Sequence, residues 1–158
     1  MSTTAALEAW LEPLLAQLEP REVRQLARRL AAGLRRRQAE RIGQQRNPDG
    51  SAYQPRAAQR VRRAAQAPGS HKRERQRVQA MFTKLRTAKH LVATADAEGA
   101  TVRFKNRSER ISAVHQFGLV DRPQPGGPEI RYPVRQLLGF STDDHAWLRE
   151  QLLVHLVR

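Results

Sequence analysis

The chain contains no cysteine and few aromatic residues, and these absences exclude several kinds of chemistry. Without cysteine it has no disulfide, no thiolate metal site and no cysteine nucleophile, a composition that suits a reducing compartment. Aromatic residues make up 5% and hydrophobic residues 39% of the sequence, whereas an average domain is about 45 to 50% apolar. Because a monomer of this composition gains little stability from its own core, we expect oligomerisation.

Long apolar runs are also missing. No stretch approaches the roughly 18 apolar residues of a membrane span, and the N-terminus lacks the positive start and apolar run of a signal peptide. We therefore expect a soluble protein that is made in the cytoplasm and has no membrane partner. The length of 158 residues fits a single domain, which we expect to cover residues 1–158.

Acidic residues are scarce between residues 21 and 90. This stretch holds 20 of the 29 Lys and Arg but only 4 of the 15 Asp and Glu, a balance of +16. Such a charge favours a polyanionic or acidic partner. Within it, residues 51–80 are rich in charge and poor in large apolar side chains, so we expect an extended basic arm that becomes ordered only on assembly. Its candidate contacts to a polyanion or protein partner are Arg60, Arg62, Arg63, Lys72, Arg73, Arg75 and Arg77.

Helical spacing of apolar residues dominates the N-terminal part of the chain. It predicts a short amphipathic helix over residues 3–17 and a longer helix from Pro20 to Gln45, since proline is tolerated in a first helical turn. Leu26 and Leu34 belong to the apolar stripe of the longer helix, and arginines fall on its opposite side. A solvated basic face explains these arginines at least as well as a binding face does.

Shorter elements are expected in the second half. The pattern predicts two hairpin strands, a helix, a third strand and a last helix, located at Leu91–Ala95, Thr101–Phe104, Ser108–Gln116, Ile130–Tyr132 and from Ser141 onward. Ser141 is the expected N-cap of the last helix, with Asp143 and Asp144 in its first turn. Its expected core stripe is Trp147, Leu148, Leu152, Leu156 and Val154. The predicted fold class is α+β, with two or three main helices packed on a small antiparallel β-sheet and a long basic arm.

Recognisable catalytic and cofactor motifs are absent from the sequence. The five histidines form no HExxH pattern, and neither a P-loop nor a GxSxG elbow is present. Capping of a helix explains Asp143 and Asp144 better than a catalytic carboxylate pair does. We therefore expect no enzyme activity, no metal, no cofactor and no small-molecule substrate.

Three ordered blocks of residues carry a resemblance to a known family. They lie at residues 41–56, 81–129 and 132–144, and they include the sequences Pro-Asp-Gly, Val-His-Gln-Phe-Gly-Leu and Tyr-Pro-Val-Arg-Gln-Leu-Leu-Gly-Phe-Ser. In this order they resemble the signatures of the phage virion morphogenesis family. The candidate signature or interface residues are Pro48, Asp49, Gly50, Tyr53, Arg56, Lys84, Arg86, His115, Gln116, Gly118, Arg122, Tyr132, Pro133 and Arg135.

The resemblance implies a structural protein of the head-tail neck of a virion, assembled in the host cytoplasm. It implies that the protein completes the tail and makes it competent to join the head, as a homo-oligomeric ring for which six copies are expected. The implied partners are adjacent neck, terminator or tail tube proteins, with non-specific contact to phage DNA. Two alternatives stay open: a DNA-binding or packaging accessory protein, which the charge favours, and a purely structural role for each signature residue.

Overall fold

A computed structural model of the chain describes residues 18–56 and 80–156, together with positions 9, 12, 13 and 16. In chain order its elements are helix α1 (Pro20–Gly43), strands β1 (Leu91–Ala95) and β2 (Ala100–Phe104), helix α2 (Arg107–Phe117), strands β3 (Val120–Asp121) and β4 (Ile130–Arg131), and helix α3 (Thr142–Leu156). The predicted α+β class is confirmed. Within this described part of the chain, no helix combines the length and the apolar character needed to cross a membrane.

The strands form two small antiparallel sheets. β1 and β2 make the expected hairpin, in which Leu91 pairs with Phe104 and Ala95 with Ala100. The expected third strand exists as β4, but it pairs with β3 instead of joining the hairpin, so one sheet becomes two. The left-handed Gly118 reverses the chain directly after α2 and leaves residues 119–121 extended beside β4.

Helix α1 is the element against which the hairpin and α3 pack. Pro20 opens it, and the Glu19 N–H donates to the Glu22 carboxylate at 3.0 Å in the first turn. Its apolar stripe is buried as predicted, because Leu26 is 2% and Leu34 is 7% exposed. The helix ends at Gly43, two positions before the expected end.

The main core lies where the C-terminal end of α1 meets the hairpin and two irregular segments. Its buried members are Ile42, Tyr53, Met81, Phe82, Leu85, Leu91, Phe104 and Leu137. Tyr53 is buried although it lies in the stretch 51–80 that was expected to form the basic arm, so residues on both sides of positions 57–79 share one core. This joins the segment before the arm to the segment after it, whatever the path of the chain between them.

Helix α3 begins as the sequence predicts. The Asp144 N–H donates to the Ser141 hydroxyl at 3.1 Å, and the Ser141 N–H donates back to the Asp144 carboxylate at 3.0 Å. Leu152 is buried, whereas the expected core position of Val154 is wrong because its side chain is 46% exposed. Two residues correspond to about 200° of helical rotation, so Leu152 and Val154 point in nearly opposite directions.

Two predictions fall outside the described residues. Most of the predicted helix over residues 3–17 is one of them, although the Ala16 N–H donates to the Glu12 carbonyl at 3.1 Å, as in a helical turn. Residues 57–79 of the basic arm are the other, and they include all seven of the candidate arm contacts, from Arg60 to Arg77.

Candidate functional site

The structure brings together signature residues that are far apart in the sequence. Tyr53, Phe82, His115 and Tyr132 form a chain of edge-to-face ring contacts, with centroid separations of 5.7, 4.8 and 5.0 Å in that order. Edge-to-face geometry is the favourable arrangement for aromatic pairs at these distances. With Arg135 these four residues make up what we call the signature cluster, which connects all three sequence blocks.

Arg135 is the polar centre of the signature cluster and is only 3% exposed. Its Nη1 donates to Nδ1 of His115 at 3.0 Å. Its Nε and Nη2 donate to the carbonyls of Gln54 and Pro55 at 2.7 and 3.3 Å. A buried guanidinium thus holds the backbone that leads directly into the basic arm.

The same arrangement keeps His115 neutral. Burial lowers the pKa of His115 to about 4, and the positive charges of Arg135 and Arg56 act in the same direction. Because the arginine can only donate, Nδ1 of the imidazole must accept. His115 is therefore an acceptor at neutral pH and carries no proton on Nδ1.

Gln116 and Gly118 shape the backbone around the signature cluster. The Gln116 carboxamide accepts from the N–H groups of Leu137 and Leu138 at 2.8 and 3.0 Å, and donates to the Leu138 carbonyl at 2.9 Å. Gly118 has φ +63° and lies so close to Val134 that an added Cβ would be 2.7 Å from its Cγ2 atom. Both residues fix the path of the segment that leads to α3.

The Pro-Asp-Gly signature forms a turn. The Asp49 carboxylate accepts from the Ser51 N–H at 2.9 Å, and Gly50 has φ +86°. Pro48 lies against Gly139, where an added Cβ would be 2.7 Å from the proline ring. These contacts join the turn after α1 to the segment before α3.

The remaining signature residues lie closer to the surface. Arg56, Lys84, Arg86 and Arg122 are exposed, and Pro133 is half-buried. Arg122 pairs with the Glu129 carboxylate at 3.0 Å across the loop between β3 and β4. The structure therefore divides the predicted residues into a buried cluster and a set of surface cations.

A second buried polar network was missed by the sequence analysis. Asp144 is 2% exposed and accepts from Arg37 Nε at 2.6 Å and from Arg41 Nη1 at 2.9 Å. Gln38 and Arg41 both donate to the Gly139 carbonyl, at 2.8 and 2.9 Å. A signal was available, since Gln38 and Arg41 continue the buried stripe of Leu34 at helical spacing.

Opposing effects act on the Asp144 carboxyl. Burial alone would raise its pKa, but hydrogen bonds from Ser141 and Arg37 and the charge of Arg41 outweigh burial and lower it. Asp144 is therefore an ionised residue that links two helices. Each of its two carboxylate oxygens accepts a hydrogen bond from an arginine of α1.

Exposed apolar side chains gather around the small β3–β4 sheet. Phe117, the most exposed, has 68% of its surface accessible, and the others in this region, all more than 40% accessible, are Ile111, Leu119, Val120, Ile130 and Val134. Leu153 and Val154 form a separate exposed pair on α3. Apolar side chains exposed in such numbers are typical of surfaces that meet other proteins.

A groove of about 540 Å³ lies between α2 and the β3–β4 sheet. Its apolar floor includes Ile111, Val114 and Tyr132, and its rim carries Arg107, Arg110 and Arg122. Arg110 pairs with Asp121 at one side. We call this the α2 groove. Neither Arg107 nor Ile111 is among the candidate residues predicted from the sequence.

Among the described residues, apolar and basic surfaces are more prominent than clusters of reactive side chains. Within residues 18–56 and 80–156 no three His, Asp or Glu side chains are placed to hold a metal ion. The two groups whose pKa is strongly shifted are His115, which is held by Arg135, and Tyr53, whose pKa is raised by burial to about 12. The arrangement presents apolar and basic surfaces on a folded framework.

Comparison with known proteins agrees with the resemblance seen in the three sequence blocks. Residues 2–157 match the model of the phage virion morphogenesis family. The chain is 38% identical to the tail completion protein S of Escherichia phage P2 over 159 aligned residues, which cover 100% of both chains. No solved structure matches the chain.

Proposed function

The chain belongs to the phage virion morphogenesis family, and from this premise we propose that it completes the phage tail and makes it competent to join the head. The relative in phage P2 is named for tail completion, and the two sequences align from end to end. That alignment is the observation that carries the proposal. Family membership and this alignment support a role in phage tail assembly and association with the virion.

The proposal includes a homo-oligomeric ring in the neck between head and tail, with six copies as the expected number. Support comes from the exposed apolar side chains around β3 and β4, which a monomer would leave in water. The low hydrophobic content of 39% points the same way, since a ring buries surface that a small core cannot. Adjacent neck, terminator or tail tube proteins would meet the outer faces of the ring.

The basic arm is the proposed contact with those neighbours. Arg135 holds the carbonyls of Gln54 and Pro55, so the arm starts from a fixed point of the core. A charged segment that is fixed at one end can become ordered on an acidic partner surface. The entropic cost of ordering it is then offset only when that partner is bound. Assembly in a fixed sequence follows from such a dependence.

We propose a non-enzymatic role because the family is structural and the shifted polar groups are held inside the fold.

The test of tail completion is an in vitro joining assay, in which tails assembled without this chain are mixed with DNA-filled heads. Purified protein should restore joined particles, counted by electron microscopy. Variants lacking residues 57–77 should restore few of them. Efficient joining without any added chain would overturn the proposal.

The second candidate is a non-specific DNA-binding or packaging accessory protein. The observation in its favour is the basic surface of α1, where Arg21, Arg24 and Arg28 surround a shallow depression of about 470 Å³. Contact with several phosphates predicts a steep loss of affinity with salt. Strong retention of short duplexes near physiological salt would favour this candidate over a protein partner.

A further inference from the structure

The α2 groove combines an apolar floor with a basic rim, which is the chemistry of a site for an acidic amphipathic segment. Ile111 in this floor is 46% exposed, although it is a large aliphatic side chain. Arg107 is exposed and takes part in none of the ion pairs found among the described residues. An occupant that covers Ile111 and neutralises Arg107 would satisfy both features.

The N-terminal segment of the chain has the complementary composition. All 29 Lys and Arg residues follow Pro20, whereas Glu8, Glu12 and Glu19 precede it. The segment also carries large apolar residues at helical spacing, namely Leu7, Trp10, Leu11, Leu14 and Leu15. Glu12 is exposed, and its carbonyl accepts the helical hydrogen bond from Ala16. The segment is the acidic, amphipathic part of an otherwise basic molecule.

Geometry favours docking onto a neighbouring copy. The floor of the α2 groove includes His115, which touches Phe82 in the core beside Ile42, at the C-terminal end of α1. Pro20 is at the other end of this helix, roughly 33 Å away at 1.5 Å per residue. A helix over residues 3–17 spans only about 22 Å. A helical segment of that length is shorter than α1, which favours docking on a neighbouring copy over a return along its own chain.

We propose that residues 1–17 of one copy dock into the α2 groove of the next copy, around Arg107 and Ile111. This inference rests on the proposed ring and names the contact that builds it. The two surfaces differ, so the contact is head-to-tail, and such contacts close into a ring when the rotation between copies permits. The acidic segment also supplies attraction between copies that otherwise repel, since each carries a formal charge of +14.

The test uses two full-length variants that each damage one side of the contact. The groove variant is Arg107→Glu with Ile111→Asp, and the segment variant is Trp10→Asp with Leu14→Asp. Each variant alone should be monomeric in size-exclusion chromatography with light scattering. Mixed together they should form a one-to-one dimer, because one supplies an intact segment and the other an intact groove.

A matched control keeps the result specific. Thr101→Asp with Arg103→Glu introduces the same charges at two exposed positions of β2 outside the groove, and this variant should assemble like the wild type. Circular dichroism of all variants separates loss of assembly from loss of fold. An unfolded groove variant is replaced by Arg107→Gln, which should weaken self-association at least tenfold.

Three outcomes would overturn the inference: a groove variant that still assembles, a mixture that stays monomeric, or a wild-type chain that is monomeric at all concentrations. The joining assay decides the proposed function separately. A chain that restores head joining while its groove variant still forms rings would leave tail completion standing and remove only this contact. Failure of the wild-type chain in the joining assay would count against the proposed function itself.

Discussion

Arg41 of α1 and Asp144 of α3 lie 103 positions apart in the sequence and meet through a hydrogen bond of 2.9 Å. The Asp144 side chain is 2% exposed and that of Arg41 is 10% exposed, so the pair is almost fully removed from water. Arg37 and the Ser141 N–H are the other donors to the carboxylate. One side chain therefore caps α3 and connects it to α1, which makes the angle between the two helices depend on Asp144.

The first prediction concerns this carboxylate. Asp144→Asn keeps the shape but removes the charge that compensates Arg41, and breaking a buried pair from one side costs about 3 to 5 kcal/mol. We expect the free energy of unfolding to fall by about 3 kcal/mol in urea titrations at one fixed protein concentration. Asp143→Asn is the matched control, because Asp143 is exposed in the same helical turn and should change stability by less than about 1 kcal/mol. Equal effects of the two substitutions would contradict the role given to Asp144.

The second prediction concerns pH and His115. Folding lowers the pKa of this histidine from 6.5 to about 4, so between these values the unfolded chain binds the extra proton. Stability should therefore be complete above pH 6.5 and decrease as the pH falls toward 4, by about 3 kcal/mol in total. Urea titrations at about pH 7 and about pH 5 measure most of this difference.

His115→Gln should remove most of that pH dependence, because glutamine has no proton to gain in the window. His155→Gln, at the end of α3 and outside the signature cluster, is the matched control for the loss of one histidine. A wild-type stability that stays constant across this acidic range would show that His115 does not titrate as its surroundings require.

The elements of the fold were largely predictable because each carries a local signal. The hairpin strands, α2 with its glycine stop, and the Ser141 cap of α3 all depend on residues within a few positions of each other. The pairing of β3 with β4 was not predictable in the same way. It depends on the chain reversal at Gly118, which brings residues 119–121 beside a strand about ten positions later.

The buried charges were the part of the site that the sequence did not reveal. Arg41 is one of 29 Lys and Arg residues, and its residue type alone does not separate it from the solvated arginines of α1. Only its place on the stripe of Leu34 and Gln38 distinguishes it, and its partner is more than a hundred residues away. Tyr53, His115 and Arg135 were singled out through the family resemblance, and their packing into one cluster required the tertiary structure.

The third prediction concerns the contact between Gly33 and Trp147. Glycine inside a helix usually costs about 0.5 to 1 kcal/mol relative to alanine. At Gly33, however, an added Cβ would overlap the six-membered ring of Trp147, which packs directly on the helix backbone. Gly33→Ala should therefore destabilise the fold, by about 1 to 3 kcal/mol.

A double-mutant cycle isolates this contact. Trp147→Leu removes the ring that the methyl group of the new alanine would meet, so the two changes together should cost less than the sum of their separate costs. We expect a coupling of at least about 1 kcal/mol in urea titrations. Additive effects would show that Trp147 can move away from α1 freely.

The last prediction concerns the basic arm and the kind of partner it binds. Replacing its seven candidate contacts, Arg60, Arg62, Arg63, Lys72, Arg73, Arg75 and Arg77, by glutamine keeps the length of the chain and removes seven positive charges. Head joining should fall at least tenfold, while thermal unfolding of the purified chain should change little, because the core that the structure describes is built from residues outside positions 57–79. Lys89→Gln with Arg103→Gln and Arg149→Gln serves as the control, because these exposed cations lie outside the arm, the α2 groove and the depression on α1. If the arm binds DNA instead, the seven-residue variant should lower the slope of log affinity against log salt by about 0.9 for each phosphate that the arm no longer neutralises. A variant that joins heads normally and binds DNA as the wild type does would leave the arm without either partner.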